Sequence, residues 1–230
     1  MTILIAKRLS LLKSKIIETE HHFHRKPNSV SLIAMSKSQS TEAIKAAIEA
    51  GQLVFGESYV QESLEKIRKL KNYKLEWHFV GKIQSNKTKP IAENFAWVHS
   101  LSEIKIAERL SAARKSANLS PLNTCIQINL DKEDNKMGIY LTDLVSFAQA
   151  IKKFTHLKLR GLMAITKVKY DFSAQRESFK RLRFALQELQ QFDFKLDTLS
   201  MGMSNDYEAA IAEGATHIRI GTAIFGKRKS

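Results

Sequence analysis

Residues 30–58, VSLIAMSKSQSTEAIKAAIEAGQLVFGES, hold the pattern on which the architecture turns. The two flanks, VSLIAMSK and QLVFGES, are short apolar runs of strand character. Between them TEAIKAAIEAG repeats its apolar residues at helical spacing, opening on Thr41 and closing on Gly51. Near-continuous apolar runs mean strands buried on both faces, as in parallel sheets, and a helix between two of them is the crossover that parallel pairing requires.

The alternation continues outward in both directions. EWHFVG, AWVHSL, NTCIQINL, LKLRGLMAI, DTLSMGMS and HIRIGTAIFG bring the strand-like runs to eight, separated by segments of 3.6-residue period such as TDLVSFAQAIKKF, where Thr142 is placed to cap the start. Eight such units in 230 residues predict an α/β chain folded as a (β/α)8 TIM barrel, one domain spanning 1–230, with a doubly wound open sheet as the structural rival. Pro27, Pro90 and Pro121 all fall outside the predicted strands, and no linker divides the chain. The first segment, MTILIAKRLSLLKSKIIETE, meets Lys7 and Arg8 at once and carries on with helical period, so it predicts an extra amphipathic N-terminal helix rather than a secretory signal.

Composition narrows the class. No run approaches the roughly 18 uncharged apolar residues of a membrane span, which predicts a soluble protein with no membrane partner. Cys125 is the single cysteine, set in a strand-like run, so no internal disulfide is expected and a cytoplasmic location fits. Lys and Arg number 37 against 23 acidic residues, a net charge of +14 that raises nucleic acid as a partner. The basic residues are scattered over KIRKLKNYK, FKRLRF and the terminal KRKS, with no zinc-finger, helix-turn-helix or aromatic RNA-binding pattern, so a solvated basic surface is preferred and no specific nucleic acid is expected.

In a barrel of this kind polar residues should gather where strands hand over to loops at the C-terminal face. Lys37 ends the first strand, Glu57 and Ser58 the second, His99 and Ser100 the fourth and Asn129 the fifth, and Ser204 and Thr222 lie at or after the seventh and eighth. SMGMSND brings Gly202 and Ser204 to a helix start near Asp206, where unpaired amides favour an anion, and IGTAIFG adds Gly221 and Thr222. Loops after strands seven and eight are the common phosphate site of such barrels. A lysine behind an apolar run loses its proton more readily and suits Schiff-base chemistry, so Lys37 with that phosphate site points to pyridoxal 5′-phosphate.

AMSK, AGQLVFGESYVQE, WHFVGKIQSNKTK, WVHSL, IQIN, KMGI, RGLMAI, LSMGMSNDYEAAI and IRIGTAIFGKR together closely resemble the pyridoxal phosphate homeostasis proteins, also called proline synthase co-transcribed homologues, over residues 3–228. The resemblance implies a fold-type III barrel like the N-terminal domain of alanine racemase. It carries the cofactor lysine onto Lys37, the phosphate-binding residues onto Ser204, Gly221 and Thr222, and the arginine facing the pyridine nitrogen onto Arg219. It also implies a carrier or regulator of pyridoxal phosphate supply rather than an enzyme, with no catalytic residue assigned, apo-enzymes as recipients and a monomeric state. The alternatives are a single-base amino-acid racemase, which would lack the second base that racemases draw from an added domain and a partner subunit, and a basic nucleic-acid-binding protein.

Two departures from the family pattern stand out. Ser58 occupies the place of a common asparagine, and SKSQS replaces a serine–lysine–threonine–proline turn. His21, His22 and His24 lack a ligand spacing and predict an exposed helix end, with no metal assigned. His78 and His99 read as strand residues with satisfied hydrogen bonds, able also to line the cofactor mouth. Lys87 and Lys89 are placed near that mouth, where they could hold a second or transit molecule of the cofactor.

Overall fold

A computed structural model describes residues 2–131, 133 and 136–226; the terminal KRKS lies outside them. Eight strands close into a barrel in chain order: β1 (Ser31–Met35), β2 (Val54–Glu57), β3 (Glu76–Phe79), β4 (Trp97–Leu101), β5 (Leu122–Ile128), β6 (Leu157–Ala164), β7 (Thr198–Ser200) and β8 (His217–Ile220). Every neighbouring pair is parallel, and β1 meets β8 through Ser31↔His217 to Ala34↔Ile220. Each predicted run contains one of these strands, except that β5 opens at Leu122, one residue before NTCIQINL, and the barrel closes, so the open-sheet rival is excluded.

Helices α1 (Thr2–His22), α2 (Thr41–Glu49), α3 (Val60–Lys69), α4 (Thr88–Asn94), α5 (Ile104–Ser116), α6 (Leu144–Ile151), α7 (Phe172–Gln191), α8 (Tyr207–Ala212) and α9 (Thr222–Phe225), with 3₁₀ turns at Ser85–Lys87 and Leu141–Asp143, complete the described elements. In α1 the buried residues Ile5, Leu9, Leu12 and Ile16 recur at helical spacing and lay one face on the barrel's outer ring, against α2, α8 and α9. His21, His22 and His24 are exposed around its end.

Local chemistry departs from the expected caps at two helices. In α2 the cap is Ser40, whose hydroxyl accepts the Ala43 amide at 3.2 Å, while Thr41 is the first helical residue; Gly51, at φ +77°, turns the chain away at the other end. Thr142 does not cap α6: residues Leu141–Asp143 form a 3₁₀ turn and its hydroxyl contacts Asp143 instead.

The expected strand HIRIGTAIFG ends early. β8 stops at Ile220, and Gly221 and Thr222 open the short α9. Lys37 likewise lies two residues beyond β1, in a turn where Ser38 has φ +62°. His99 and Ser100, expected at a strand terminus, lie within β4 and are buried.

Barrel interiors are usually layered with branched aliphatics. This one is not. The rings of His99 and His217 lie 6.0 Å apart and those of Trp97 and His217 5.1 Å apart, although β4 and β8 are not neighbours, so these side chains meet across the interior. His78 stacks on Trp97 at 5.4 Å in the same group, and Cys125, fully buried, packs beside Trp97 with its thiol pushed up by burial.

Candidate functional site

A cavity of about 660 Å³ opens at the C-terminal ends of the strands, within the size range of small-molecule sites. Lys37, Ser58, Ser204, Arg219, Gly221 and Thr222 all line it. Gly202 sits behind this lining: at φ +94° it turns the chain after β7, its carbonyl accepts the Arg219 amide at 3.0 Å, and a Cβ there would lie 2.6 Å from that of Ala210. Its contribution is therefore to close packing, which only glycine permits.

The turn carrying Lys37 is clamped on both sides. Lys66, 5% exposed on α3, donates to the Ser36 carbonyl at 2.6 Å and to Glu57 Oε1 at 2.8 Å. The Ser36 hydroxyl donates to the same Glu57 oxygen at 2.7 Å. Glu62 pairs with Lys66 and accepts the Ser38 amide at 2.6 Å, so the residues before and after Lys37 hang from one ionic cluster. Glu57 is fully buried, and burial raises its pKa in spite of Lys66; its second oxygen has no hydrogen-bond partner among the described residues.

The opposite wall comes from β6, β7 and β8. Arg219, 4% exposed, donates through Nη1 to Ser200 Oγ at 2.8 Å and through Nη2 to the Ala164 carbonyl at 2.9 Å. Burial brings its pKa down to about 10, which leaves it a cation at neutral pH. Beside it Asp206 accepts the Met203 amide at 2.6 Å and fixes the bend that presents Ser204, while burial raises the Asp206 carboxyl. Two glycines shape the walls: a Cβ on Gly221 would meet the Met35 carbonyl at 3.3 Å, and one on Gly81 would meet the Ser58 carbonyl at 2.0 Å.

The cavity also has members that the strand-end reading left out. Thr166 and Lys169, from the loop after β6, line it, and Lys169 Nζ donates to Ser178 Oγ at 2.7 Å. The signal was available, because LKLRGLMAI is followed directly by a threonine and then lysines, and the rule applied to other strand ends applies there too. Asn129 and Ser100 are not in the lining; Asn129 ties down its own loop through the Glu133 carbonyl at 2.8 Å, and Ser100 donates to the Gly81 carbonyl at 2.6 Å. Lys87 and Lys89, expected near the mouth, lie on the turn into and the first residues of α4, outside the lining, with Lys89 facing Glu93 at 3.9 Å. His78 and His99 are interior rather than mouth residues and have hydrogen-bond partners, as expected of strand residues.

A closed parallel barrel with a cavity at its C-terminal face, holding a lysine after the first strand, hydroxyl and glycine residues after the last two and an arginine within the eighth, defines a barrel of the alanine racemase type. The family pattern described as "Alanine racemase, N-terminal domain" matches residues 12–229. The chain is 49% identical over 224 residues to the pyridoxal phosphate homeostasis protein of Pseudomonas aeruginosa, covering 97% of this chain and 96% of that protein. It is 44% identical over 227 residues to the Escherichia coli protein of the same name, covering 97% of each. This chain belongs to the pyridoxal phosphate homeostasis protein family. Among solved structures, PipY of Synechococcus elongatus with pyridoxal phosphate bound superposes with a TM-score of 0.85 at 37% identity, covering 96% of this chain and 100% of that one. An alanine racemase of Clostridium difficile superposes at 0.73 with 12% identity and 57% of its length, which is a likeness of fold alone.

Proposed function

We propose that this chain binds pyridoxal 5′-phosphate in the cavity and takes part in its intracellular homeostasis as a carrier or regulator. The observation that carries the proposal is that one cavity brings together the Lys37 amine, the Ser204 and Thr222 hydroxyls and the Arg219 guanidinium. That donor set fits the group: a primary amine for its aldehyde, hydroxyls and adjacent backbone amides for its phosphate, and a cation for the edge of its ring. Bound there, pyridoxal phosphate supplies an aldehyde that condenses with an amine and a ring able to accept electrons from an attached amino acid.

In this reading Lys37 holds the cofactor as a Schiff base, while Ser204, Gly221 and Thr222 hold the phosphate and Ser58 lies at the side of the site. Arg219 remains cationic and offers no acceptor, so it opposes a proton on the ring nitrogen and weakens the electron withdrawal that racemisation needs. Asp206 is engaged by the Met203 amide, which leaves it poorly placed as a base. These features support holding the cofactor over turning over a substrate. A location in the cytoplasm, action as a monomer and delivery to apo-enzymes belong to the same proposal; among the described residues no helix is long and apolar enough to cross a membrane. A single domain over 1–230 is the organisation it assumes.

Titration of the purified protein with pyridoxal phosphate, followed by absorbance and then borohydride reduction and peptide mapping, tests the reading. The expected label is on Lys37, lost in Lys37→Ala. A label on Lys169, or none, overturns it. Exchange of the α-proton of alanine at a rate dependent on Lys37 would favour the racemase instead.

A further inference from the structure

The barrel interior contains a continuous hydrogen-bonded chain that the cavity lining does not reveal. From Arg219 it runs to Ser200 Oγ at 2.8 Å, from Ser200 Oγ to His99 Nδ1 at 2.8 Å, from His99 Nε2 to His78 Nδ1 at 2.8 Å, and from His78 Nε2 to Glu76 Oε1 at 2.8 Å. It crosses from β8 to β7, then to β4 and β3, and ends on the first residue of β3, at the barrel floor opposite the cavity. Ser200, His99 and His78 are fully buried, while the Glu76 side chain is half exposed.

Its ends fix its polarity. A guanidinium can only donate and an ionised carboxylate can only accept. With both imidazoles neutral, one assignment makes every link: Ser200 O–H donates to His99 Nδ1, His99 Nε2–H to His78 Nδ1, and His78 Nε2–H to Glu76. The surroundings keep both rings neutral. His99 is wholly desolvated and faces His78, His217 and Arg219, and His78 is desolvated against Trp97, His99 and His217, with Glu76 its sole carboxylate contact among the described residues. Aliphatic side chains would fill the same space without desolvating polar groups, so the arrangement calls for a role beyond packing.

We propose that Ser200, His99, His78 and Glu76 are positioning residues that together hold the Arg219 guanidinium in the cavity wall, linking the barrel floor to the edge of the bound ring. This deepens the pyridoxal phosphate reading and rests on it for the identity of the ring. Ser200 and Ala164 hold the two Nη groups and so set the plane of the guanidinium, and Ser200 is in turn oriented by its bond to His99.

Two measurements test it. In the protein without cofactor, nitrogen-15 NMR of the histidines should show His78 and His99 as neutral Nε2–H tautomers, and both Ser200→Ala and Glu76→Gln should change the tautomer balance. In the protein loaded with pyridoxal phosphate, Ser200→Ala should weaken binding about tenfold, as expected for loss of a hydrogen bond to a charged group, and move the pH profile of cofactor absorbance upward as the ring nitrogen accepts a proton more easily. Glu76→Gln, remote from the cavity, should move that profile the same way by less, and Ser200→Thr should restore it. Wild-type tautomers and a wild-type pH profile in both Ser200→Ala and Glu76→Gln overturn the proposal. Failure of the unmutated protein to take up pyridoxal phosphate while the tautomers respond as stated removes the cofactor reading and leaves the link to Arg219 standing. Unchanged tautomers overturn the link whatever the cofactor does.

Discussion

The two walls of the cavity are built from opposite electrostatic materials. The Lys37 wall rests on formal charges, Lys66 against Glu57 and Glu62, gathered within one hydrogen-bond shell behind the β1–α2 turn. The Arg219 wall rests on dipoles passed from ring to ring through the barrel, with its charges only at the two ends. The difference teaches where each wall is vulnerable. An ionic clamp fails when one partner is removed, because the other is left buried and uncompensated. A neutral chain fails when a proton is added, because each imidazole nitrogen already has its assigned donor or acceptor role.

The largest effect should come from Lys66→Met. With Glu57 fully buried, losing its counter-ion should cost about 3–5 kcal/mol in urea or guanidinium unfolding, and the Lys37 turn should become susceptible to proteolysis. Stability equal to wild type would show that the clamp is dispensable. Next is acid. His217 has its pKa lowered to about 4 from 6.5, first by burial and then by His78, and His78 and His99 are lowered as well. A lowered histidine is neutral in the folded state while the unfolded chain takes up the proton. Stability should therefore fall as pH drops from 6.5 toward 4, by about 3 kcal/mol for His217 alone. On the other wall the sign reverses: Glu57, raised by burial, favours the folded state at low pH, and that contribution is lost as pH rises above 4.5 through its folded value. Denaturation curves across pH for Glu57→Gln and His99→Leu separate the two slopes.

His99→Leu should itself cost about 2 kcal/mol at neutral pH, since it leaves Ser200 and His78 each short of a partner. A neutral or stabilising result would assign the chain to positioning alone. The smallest effect is expected at the seam between the walls, where Ser58 packs its carbonyl against Gly81. Ser58→Asn should change pyridoxal phosphate affinity only a few-fold in an absorbance titration, which amounts to less than about 1 kcal/mol. An unchanged affinity would place Ser58 outside the site.

Much of this was legible in the sequence because parallel barrel strands are buried on both faces and so appear as uninterrupted apolar runs. The strand-end rule then located Lys37, Ser58, Ser204 and Thr222. It failed where the signal is not local. IGTAIF continues the apolar run of β8, and a four-residue helix is too short to display a period, so Gly221 and Thr222 read as strand. Ser40 and Thr41 are both good cap residues, and tertiary context chose between them. The clamp and the histidine chain include links between residues as far as 101 positions apart, and no periodicity reports which buried polar side chains face each other across a closed barrel.

The helix that precedes the first strand leans on α8 and α9 as well as on α2, and β1 pairs with β8, so elements far apart in the sequence seal the same seam. A nascent chain therefore cannot zip shut until its final strand has left the ribosome. Arg219 lies in that strand and Thr222 just after it, so shaping the mouth of the cavity and closing the cylinder become one event.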